Sequence, residues 1–373
     1  MKIIIDIGHP AHVHMFHYFA SEMVKHGHKV LFTCRDKEFE KMLLDYYGFE
    51  YINFGRKHIS IIGKMWDMIR FDIREFLTAM RFKPDYFVSH GSIIAAHGAW
   101  LSRTPHITLE DTFNMEQVRL YIPFTKTIIT ANYPNPLSGK KVLRYPGYKE
   151  LMSLHPNRFI PDENVLKELG VLNEKGECKT ANGTRYDKYV IVRFVAWHAT
   201  HDRGHMGLTI QNKIKAIKEF SKYAKVFVSS ESQLPPELEA YKLNIDPSHI
   251  HHAEAFASMV FGESSTMVAE GAVLGVPGIF LDNTGRLFTK QLEDDYQLCY
   301  NLSESEADQV KSIQLGIEIL SNPNSHEIYQ VRRQNMLHDK IDVTGWLVWF
   351  VENYPQSVDE TRHADAEFWD KFK

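Results

Sequence analysis

The chain has 373 residues, of which 44% are hydrophobic and 24% charged, and its formal net charge is −4. This composition is typical of a globular protein with room for two domains, and it lacks the basic excess that nucleic-acid binding favours. Cys34, Cys178 and Cys299 lie far apart and match no metal-site spacing, which favours free thiols in a reducing compartment. The N-terminus is typical of a β-strand rather than a secretion signal, and no apolar run is long enough to span a bilayer. We therefore expect a cytoplasmic protein.

Strands and helices alternate through the first half of the chain. The predicted strands are Ile3–Ile7, Lys29–Thr33, Tyr86–Ser89, His106–Leu109 and Thr127–Thr130. Helices are predicted at His12–Lys25, Phe39–Tyr47 and Ile93–Leu101. Alternating β and α units predict an α/β fold with a parallel, doubly wound sheet.

The alternation thins between Pro146 and Tyr186 and resumes with a strand at Lys188–Phe194, which predicts a hinge in that interval. Later elements are helix Leu208–Tyr223, strand Lys225–Ser229, a short strand near His249–His251, strand Met259–Phe261, and helices Ala307–Leu320, Glu327–Asp339 and Val343–Asn353. We predict a first domain over 1–165, a second over 166–350, and a helical tail over 351–373.

The segment from Phe261 to Phe280 carries the clearest functional pattern. An apolar strand ends at Phe261, the hydroxyl residues Ser264, Ser265 and Thr266 follow, and a helix then runs to Gly275. Unpaired N–H groups and the positive end of the helix dipole make such a turn an anion site. Glu270 lies about one helical turn after Thr266 and is placed to bind a ribose diol. The alternative is an ordinary connection with a Ser/Thr helix cap.

This segment resembles the donor-site signature of GT-B glycosyltransferases and of the UDP-N-acetylglucosamine 2-epimerases that share their fold. Their pattern is a small-residue turn, a helix bearing a Glu, and then Leu-Gly-x-Pro. The resemblance implies that Ser264, Ser265 and Thr266 hold a diphosphate and that Glu270 binds the ribose. The sequence departs from the pattern because Ser265 and Thr266 replace the usual glycines.

The loop after the first strand contains four histidines within nine residues, His9, His12, His14 and His17. A metal site is one interpretation, although no nearby acid or cysteine completes it. For His9, His14 and His17 we favour surface or packing roles. Ala11-His12-Val13 resembles the Gly-His-Val of the lipid II-forming N-acetylglucosaminyltransferase, which implies that His12 contacts a phosphate or acts as a base.

Further candidates follow other strands. Glu110 and Asp111 lie at the carboxyl end of one strand, in a segment that resembles the His-Val-Glu-Ala-Gly stretch of the 2-epimerases, with Glu110 at the matching Glu, and equally the His-Glu-Gln-Asn stretch of the transferase. Either acid could act as a base at an acceptor hydroxyl or at sugar C2, and a capping Asp111 with a solvated Glu110 is the alternative. Arg193, at the end of the first strand of the second domain, suits a diphosphate that it can bind with two hydrogen bonds, and His198 could assist it. Arg286 lies after the strand that follows the signature helix, in a segment that loosely resembles the Thr-Glu-Arg-Pro loop of the epimerases. This resemblance implies that Arg286 binds substrate.

Residues Ile59 to Lys83 predict one long helix in which apolar and basic residues interleave. It could lie on a membrane that presents a lipid-linked acceptor, which would make the protein peripheral at the inner face of the membrane. We favour the other interpretation, in which the apolar stripe faces the core.

The resemblance as a whole implies two doubly wound, Rossmann-like domains facing a central crevice, with the tail packing back on the first domain. The leading hypothesis is an inverting, metal-independent glycosyltransferase of surface glycan synthesis, with a UDP-sugar donor, a glycan or lipid-linked acceptor, and no cofactor. A UDP-N-acetylglucosamine 2-epimerase and a non-catalytic nucleotide-sugar-binding protein are the alternatives. The sequence leaves open whether a homodimer forms.

Overall fold

The computed structural model describes residues 1–36, 39–58, 60–195, 205–230 and 233–373. They form two compact units, one of Met1–Arg158 with Lys340–Lys373 and one of Phe159–Asp339. The sequence predicts domain limits at 165 and 350, whereas the two compact units are divided after Arg158 and after Asp339. Within the described ranges, no helix is both long enough and apolar enough to span a membrane.

The first unit contains a parallel sheet. Its strands are β1 (Lys2–Asp6), β2 (Lys29–Cys34), β3 (Tyr51–Asn53), β4 (Tyr86–His90), β5 (His106–Leu109), β6 (Thr127–Ala131) and β7 (Val142–Tyr145). The helices between and after them are α1 (Pro10–Lys25), α2 (Glu40–Tyr46), α3 (Ile61–Phe82), α4 (Ile93–Leu101), α5 (Met115–Tyr121) and α6 (Leu151–Leu154).

The strand order β3-β2-β1-β4-β5-β6-β7 places β1 between β2 and β4. The sheet therefore grows in one direction from β1 to β3 and in the other direction from β4 to β7. Ligands of such sheets bind outside the carboxyl ends of the strands at this reversal. β1 is an apolar run with Ile3, Ile4 and Ile5 fully buried, as a central parallel strand requires.

The second unit also contains a parallel sheet, preceded by α7 (Asn164–Glu168) and a small antiparallel pair, β8 (Cys178–Lys179) and β9 (Arg185–Tyr186). Its strands are β10 (Tyr189–Phe194), β11 (Lys225–Ser230), β12 (Met259–Gly262), β13 (Gly278–Leu281) and β14 (Cys299–Leu302). Its other helices are α8 (Ile210–Phe220), α9 (Ile250–Ala255), α10 (Ser265–Leu274), α11 (Leu287–Asp294), α12 (Glu306–Ser321) and α13 (Ser325–Asp339). The order β11-β10-β12-β13-β14 puts the reversal between β10 and β12.

The chain ends in three helices that belong to the first unit, α14 (Val343–Glu352), α15 (Gln356–Arg362) and α16 (Ala366–Asp370). Trp346 of α14 is fully buried and stacks on Tyr145 of β7, with 5.4 Å between ring centroids. This contact fixes the C-terminal segment on the first sheet.

The structure confirms the predicted α/β class, with parallel sheets in both units. One predicted strand is wrong, because His249 ends a short 3-10 turn and α9 begins at Ile250. Asp246 caps that turn by accepting a hydrogen bond from the Ser248 N–H, so local capping turns the chain into a helix. The signature helix α10 ends at Gly275, as predicted, because this residue adopts the left-handed conformation at φ 79°.

The backbone around the end of β12 leaves no room for a side chain at Gly262. Its φ is +139°, and a Cβ placed on it would lie 2.1 Å from the Arg193 carbonyl oxygen on β10. Gly285 offers a comparison, because its φ is +64° but no atom lies within 4 Å of its Cβ position.

We predict that Gly262→Ala lowers the free energy of unfolding by about 3 kcal/mol or more, since it adds backbone overlap to backbone strain. The control Gly285→Ala meets conformational strain alone and should cost about 1 kcal/mol. Urea unfolding of both variants measures the difference. Equal losses would show that Arg193 and Gly262 do not approach this closely.

Candidate functional site

Two polar sheet edges carry the candidate residues, one in each unit. In the first unit, the reversal lies between β1, which leads into Gly8, and β4, which leads into Gly91. Gly91 adopts a φ of +57°, and Ser92 caps α4 by accepting a hydrogen bond from the Ala95 N–H at 3.2 Å. Both glycine turns therefore open onto the amino ends of helices.

Asp111 contacts two basic side chains at this edge. Its Oδ1 lies 2.7 Å from His90 Nε2, and its Oδ2 lies 2.6 Å from Lys149 Nζ. His90 ends β4, Asp111 follows β5 and Lys149 lies between β7 and α6, so three segments converge. Burial alone would raise the pKa of Asp111, but Lys149 and His90 hold it well below its usual range. The carboxylate is thus ionised and orients the His90 ring through Nε2.

His12 lies beside this pair in the first turn of α1. Its ring centroid is 4.8 Å from that of His90, and its Nδ1 accepts a hydrogen bond from the Gly8 N–H at 3.3 Å. Burial, and then the neighbouring His90, lower the pKa of His12 well below its usual range. A neutral ring that accepts at Nδ1 carries its proton on Nε2. This geometry favours hydrogen-bond donation to a ligand over proton abstraction.

Glu110, the neighbour of Asp111, is buried and its carboxylate is already occupied. Oε1 accepts hydrogen bonds from the N–H groups of Thr112 and Phe113 at 2.8 and 2.9 Å and from the Thr112 hydroxyl at 2.7 Å. Oε2 accepts the hydroxyl of Tyr121. The structure therefore places Glu110 as the cap of its own turn, while Asp111 contacts His90 and Lys149. The structural alternative from the sequence was a capping Asp111 with a solvated Glu110. In the structure both acids are buried, and Glu110 is the cap.

A buried ionic network lies below the Gly8 turn. Asp6 accepts hydrogen bonds from Arg35, from Ser92 and from the Thr33 hydroxyl, the last at 2.9 Å. Glu75 of α3 joins through Thr33 at 3.2 Å, and burial, then Asp6, raise the pKa of Glu75 well above its usual range. The Arg35 guanidinium lies so close to Gly8 that a Cβ there would be 2.9 Å from Nη2. These partners are distant in sequence, so no local motif indicated them.

The other loop histidines have structural contacts. His9 caps α1 by accepting the Ala11 N–H at 3.2 Å. His14 and His17 are buried, and both contact Tyr47, His17 by stacking at 4.3 Å between ring centroids. These contacts agree with the packing interpretation.

In the second unit, α10 begins directly after β12 at the reversal of the sheet. Ser264 is the helix cap and accepts a hydrogen bond from the Met267 N–H at 3.4 Å. Ser264, Ser265 and Thr266 are partly exposed, although residues on both sides of them are buried. The helix geometry leaves the first-turn N–H groups without acceptors inside the helix. The turn therefore presents donors at an accessible surface.

Glu270 lies behind this turn in a buried group with two residues of α9. Its Oε1 is 3.2 Å from His251 Nε2, and one ligand atom from each of His251, Glu254 and Glu270 lies within 4.8 Å of the others. Among the described residues, neither carboxylate oxygen of Glu254 finds a hydrogen-bond partner. Burial, then the charge of Glu270, raise the pKa of Glu254 well above its usual range. Three such ligands could hold a small cation, but a protonated Glu254 also satisfies their charge.

Arg193, predicted to hold the diphosphate, and Arg286, predicted to bind substrate, have different surroundings. Arg193 pairs with Gly262 across β10 and β12, while its Nη1 donates to the Ser229 hydroxyl at 2.7 Å. Arg286 precedes α11 and donates to Thr284 Oγ1 and the Gly285 carbonyl, both at 2.9 Å. The predicted residue His198 lies outside the described residues.

Glu263, the first residue after β12, is not among the site residues predicted from the sequence. Its buried carboxylate accepts the N–H groups of Val195 and Leu208 at 2.8 and 2.7 Å and lies 3.1 Å from Lys213 Nζ. Burial raises its pKa despite these partners. Glu263 thus joins the end of β10 to the start of α10. Its place in the signature, next to Ser264, was the available signal.

We predict that Asp111→Asn lowers the free energy of unfolding by about 3 kcal/mol near pH 7, since it removes the negative partner that His90 and Lys149 share. An acid with a lowered folded pKa stabilises the fold above its unfolded pKa, about 3.9, and this contribution is lost as the pH falls further. The cost of the variant should therefore shrink below about pH 4. Urea unfolding at several pH values measures it, with the exposed Asp359→Asn as control. A cost independent of pH would contradict the ion pair.

Comparisons with known proteins agree with this two-unit fold. The putative UDP-N-acetylglucosamine 2-epimerase from Listeria monocytogenes superposes with a TM-score of 0.67 at 11% identity, covering 95% of this chain and 96% of that protein. The UDP-GlcNAc 2-epimerase from Neisseria meningitidis, bound to UDP-GlcNAc, gives a TM-score of 0.57 at 12% identity and covers 90% of this chain and 100% of that protein. The glycosyltransferase VinC, in complex with dTDP, gives a TM-score of 0.59 at 10% identity and covers 96% of this chain and 100% of that protein. At these identities the similarity establishes the fold alone.

No curated protein matches the sequence. The chain shares its fold with GT-B glycosyltransferases and UDP-N-acetylglucosamine 2-epimerases, and its residues 1–183, out of 373, match the family described as "Protein of unknown function (DUF354)".

Proposed function

We propose that the protein is an inverting, metal-independent glycosyltransferase that uses a nucleotide-sugar, in the first instance a UDP-sugar. The observation that carries the proposal is the β12–α10 turn of the second unit. There, partly exposed hydroxyl residues cap a helix, and an ionisable Glu270 lies one turn behind them. Surface glycan synthesis with a glycan or lipid-linked acceptor is part of the same proposal.

The turn supplies what a diphosphate needs. The N–H groups at the start of α10 and the positive end of its dipole favour an anion. The hydroxyls of Ser265 and Thr266 can donate further hydrogen bonds in place of the closer approach that glycines would allow. A metal ion is not required for this charge, because helix N–H donors can stabilise the departing diphosphate.

Glu270 suits the ribose. A carboxylate accepts hydrogen bonds from two neighbouring hydroxyls, and His251 at 3.2 Å orients one of its oxygens. Burial beside Glu270 raises the pKa of Glu254, and its neutral form avoids a second carboxylate charge in the same buried space. The two supported roles, ribose and diphosphate, together describe a nucleoside diphosphate.

The first unit supports acceptor activation. We assign His90 as the base, since Asp111 holds its Nε2 and thereby directs Nδ1 to the incoming proton. His90 takes the proton of the acceptor hydroxyl while that oxygen attacks the anomeric carbon. The bond from this carbon to the diphosphate breaks, and the nucleoside diphosphate leaves with the electron pair. His12 donates from Nε2 to a sugar or phosphate oxygen, and Lys149 maintains the charge of Asp111.

The 2-epimerase reaction is the alternative. It needs acid/base groups on both faces of the sugar, and Glu110 was the main candidate for one of them. Since Glu110 accepts four hydrogen bonds from its own turn and from Tyr121, its availability for proton transfer is low. A transferase needs one base, which favours the transferase.

We predict that the protein binds UDP more tightly than uridine in isothermal titration calorimetry, because the helix start adds diphosphate contacts. The isosteric Glu270→Gln should weaken UDP binding about tenfold or more, since it removes a charged acceptor for the ribose hydroxyls. The control Glu318→Gln changes an exposed acid of the same unit on α12 and should bind as the wild type does.

The titration also includes dTDP, because VinC holds that nucleotide. Tighter binding of dTDP would change the base but retain the proposal. A folded protein that binds neither nucleotide, or a Glu270→Gln variant with unchanged affinity, would contradict it.

A further inference from the structure

Helix α3 exposes an apolar stripe. Five large apolar side chains along it are each between 44% and 60% exposed: Trp66, Ile69, Ile73, Leu77 and Met80. At 3.6 residues per turn they fall within an arc of about 80°. The sequence interpretation that turned this stripe toward the core is therefore wrong.

The acidic side of α3 faces inward instead. Asp67 and Glu75 are buried, and Asp72 is partly buried and lies 2.8 Å from His97 of α4. Glu75 joins the ionic network below β1 through Thr33, and its Cγ lies 2.5 Å from the Cβ position of Gly98, so α3 and α4 meet closely on this side. The polar network fixes the rotation of the helix about its axis and thereby turns the apolar stripe outward.

Cationic residues flank the stripe. Arg74 and Arg81 are exposed, and the exposed positions described in α3 include no acid. Neighbouring helices extend the apolar character of this unit, with Trp100 on α4 60% exposed and Leu120 on α5 50% exposed. Apolar surface of this extent beside positive charge is typical of a binding face and unusual for a surface that meets only water.

We propose that this α3 face, formed by Trp66, Ile69, Ile73, Leu77 and Met80 with Arg74 and Arg81, docks on a lipid bilayer that carries anionic headgroups. The apolar side chains enter the boundary between headgroups and acyl chains, and the arginines bind headgroup phosphates.

A second copy of the chain fits the α3 face less well. A twofold contact would bring the same arginines of both copies together, and the described exposed positions of α3 offer no acid to pair with them. An anionic bilayer complements both the apolar stripe and its charge. The proposal does not rest on nucleotide-sugar binding, so either can fail without the other.

The test is flotation of the full-length protein with vesicles of phosphatidylcholine alone or mixed equally with phosphatidylglycerol. We expect binding to the mixed vesicles that weakens with salt, and weaker binding to the neutral ones. Ile73→Ser with Leu77→Ser should lower the partition coefficient about tenfold or more, since two apolar side chains no longer enter the bilayer. Arg74→Gln with Arg81→Gln should remove most of the preference for phosphatidylglycerol.

The matched control is Ile160→Ser with Val331→Ser, which removes two apolar side chains that are 80% and 58% exposed in the second unit. All variants alter exposed positions, so unchanged melting temperatures are expected and verify folding. Absence of binding to mixed vesicles, or equal loss in the control, would overturn the proposal. So would a dimer in light scattering that Ile73→Ser with Leu77→Ser dissociates while vesicle binding is absent.

Discussion

A buried carboxylate needs hydrogen-bond donors or a cation around it, and this requirement organises the polar sheet edge of each unit. Asp111 brings His90 and Lys149 together from separate segments. Glu110 folds its own turn around itself. In the second unit, Glu263 joins the backbone of Val195 to that of Leu208. Each acid replaces the hydration that it loses with donors from loops, and so fixes the loops in which ligands of parallel α/β sheets bind.

Glu254 differs from these acids, because the described residues give its carboxylate no hydrogen bond. Burial beside Glu270 raises its pKa and favours its neutral form. A neutral Glu254 avoids a second carboxylate charge beside Glu270 in the same buried space. A similar arrangement lies below the Gly8 turn. There, Arg35 pairs with Asp6, and burial raises the pKa of Glu75 and favours its neutral form. In each unit, therefore, burial favours the neutral form of one acid in a closely spaced pair.

Local patterns in the sequence predicted the βα alternation and the cap and end of α10, because these depend on near neighbours. His90 becomes a candidate only in the structure, since its partners Asp111 and Lys149 come together through the strand order. The short strand near His249–His251 was wrong because the Asp246 cap starts helical turns there. For α3, the periodicity predicted an apolar stripe, but its direction depends on Glu75 and the ionic network that no local pattern contains. The site roles remain predictions.

The most direct test of the proposed chemistry is a proton NMR time course of UDP-N-acetylglucosamine with the protein in heavy water, without an acceptor. The account predicts that the uridine and ribose lines broaden while the sugar keeps its configuration and its proton at C2. This result would mean that the donor binds and waits for an acceptor hydroxyl. New anomeric signals with deuterium at C2 would contradict the transferase and establish 2-epimerase chemistry, and unchanged uridine lines would contradict binding of the UDP-sugar itself.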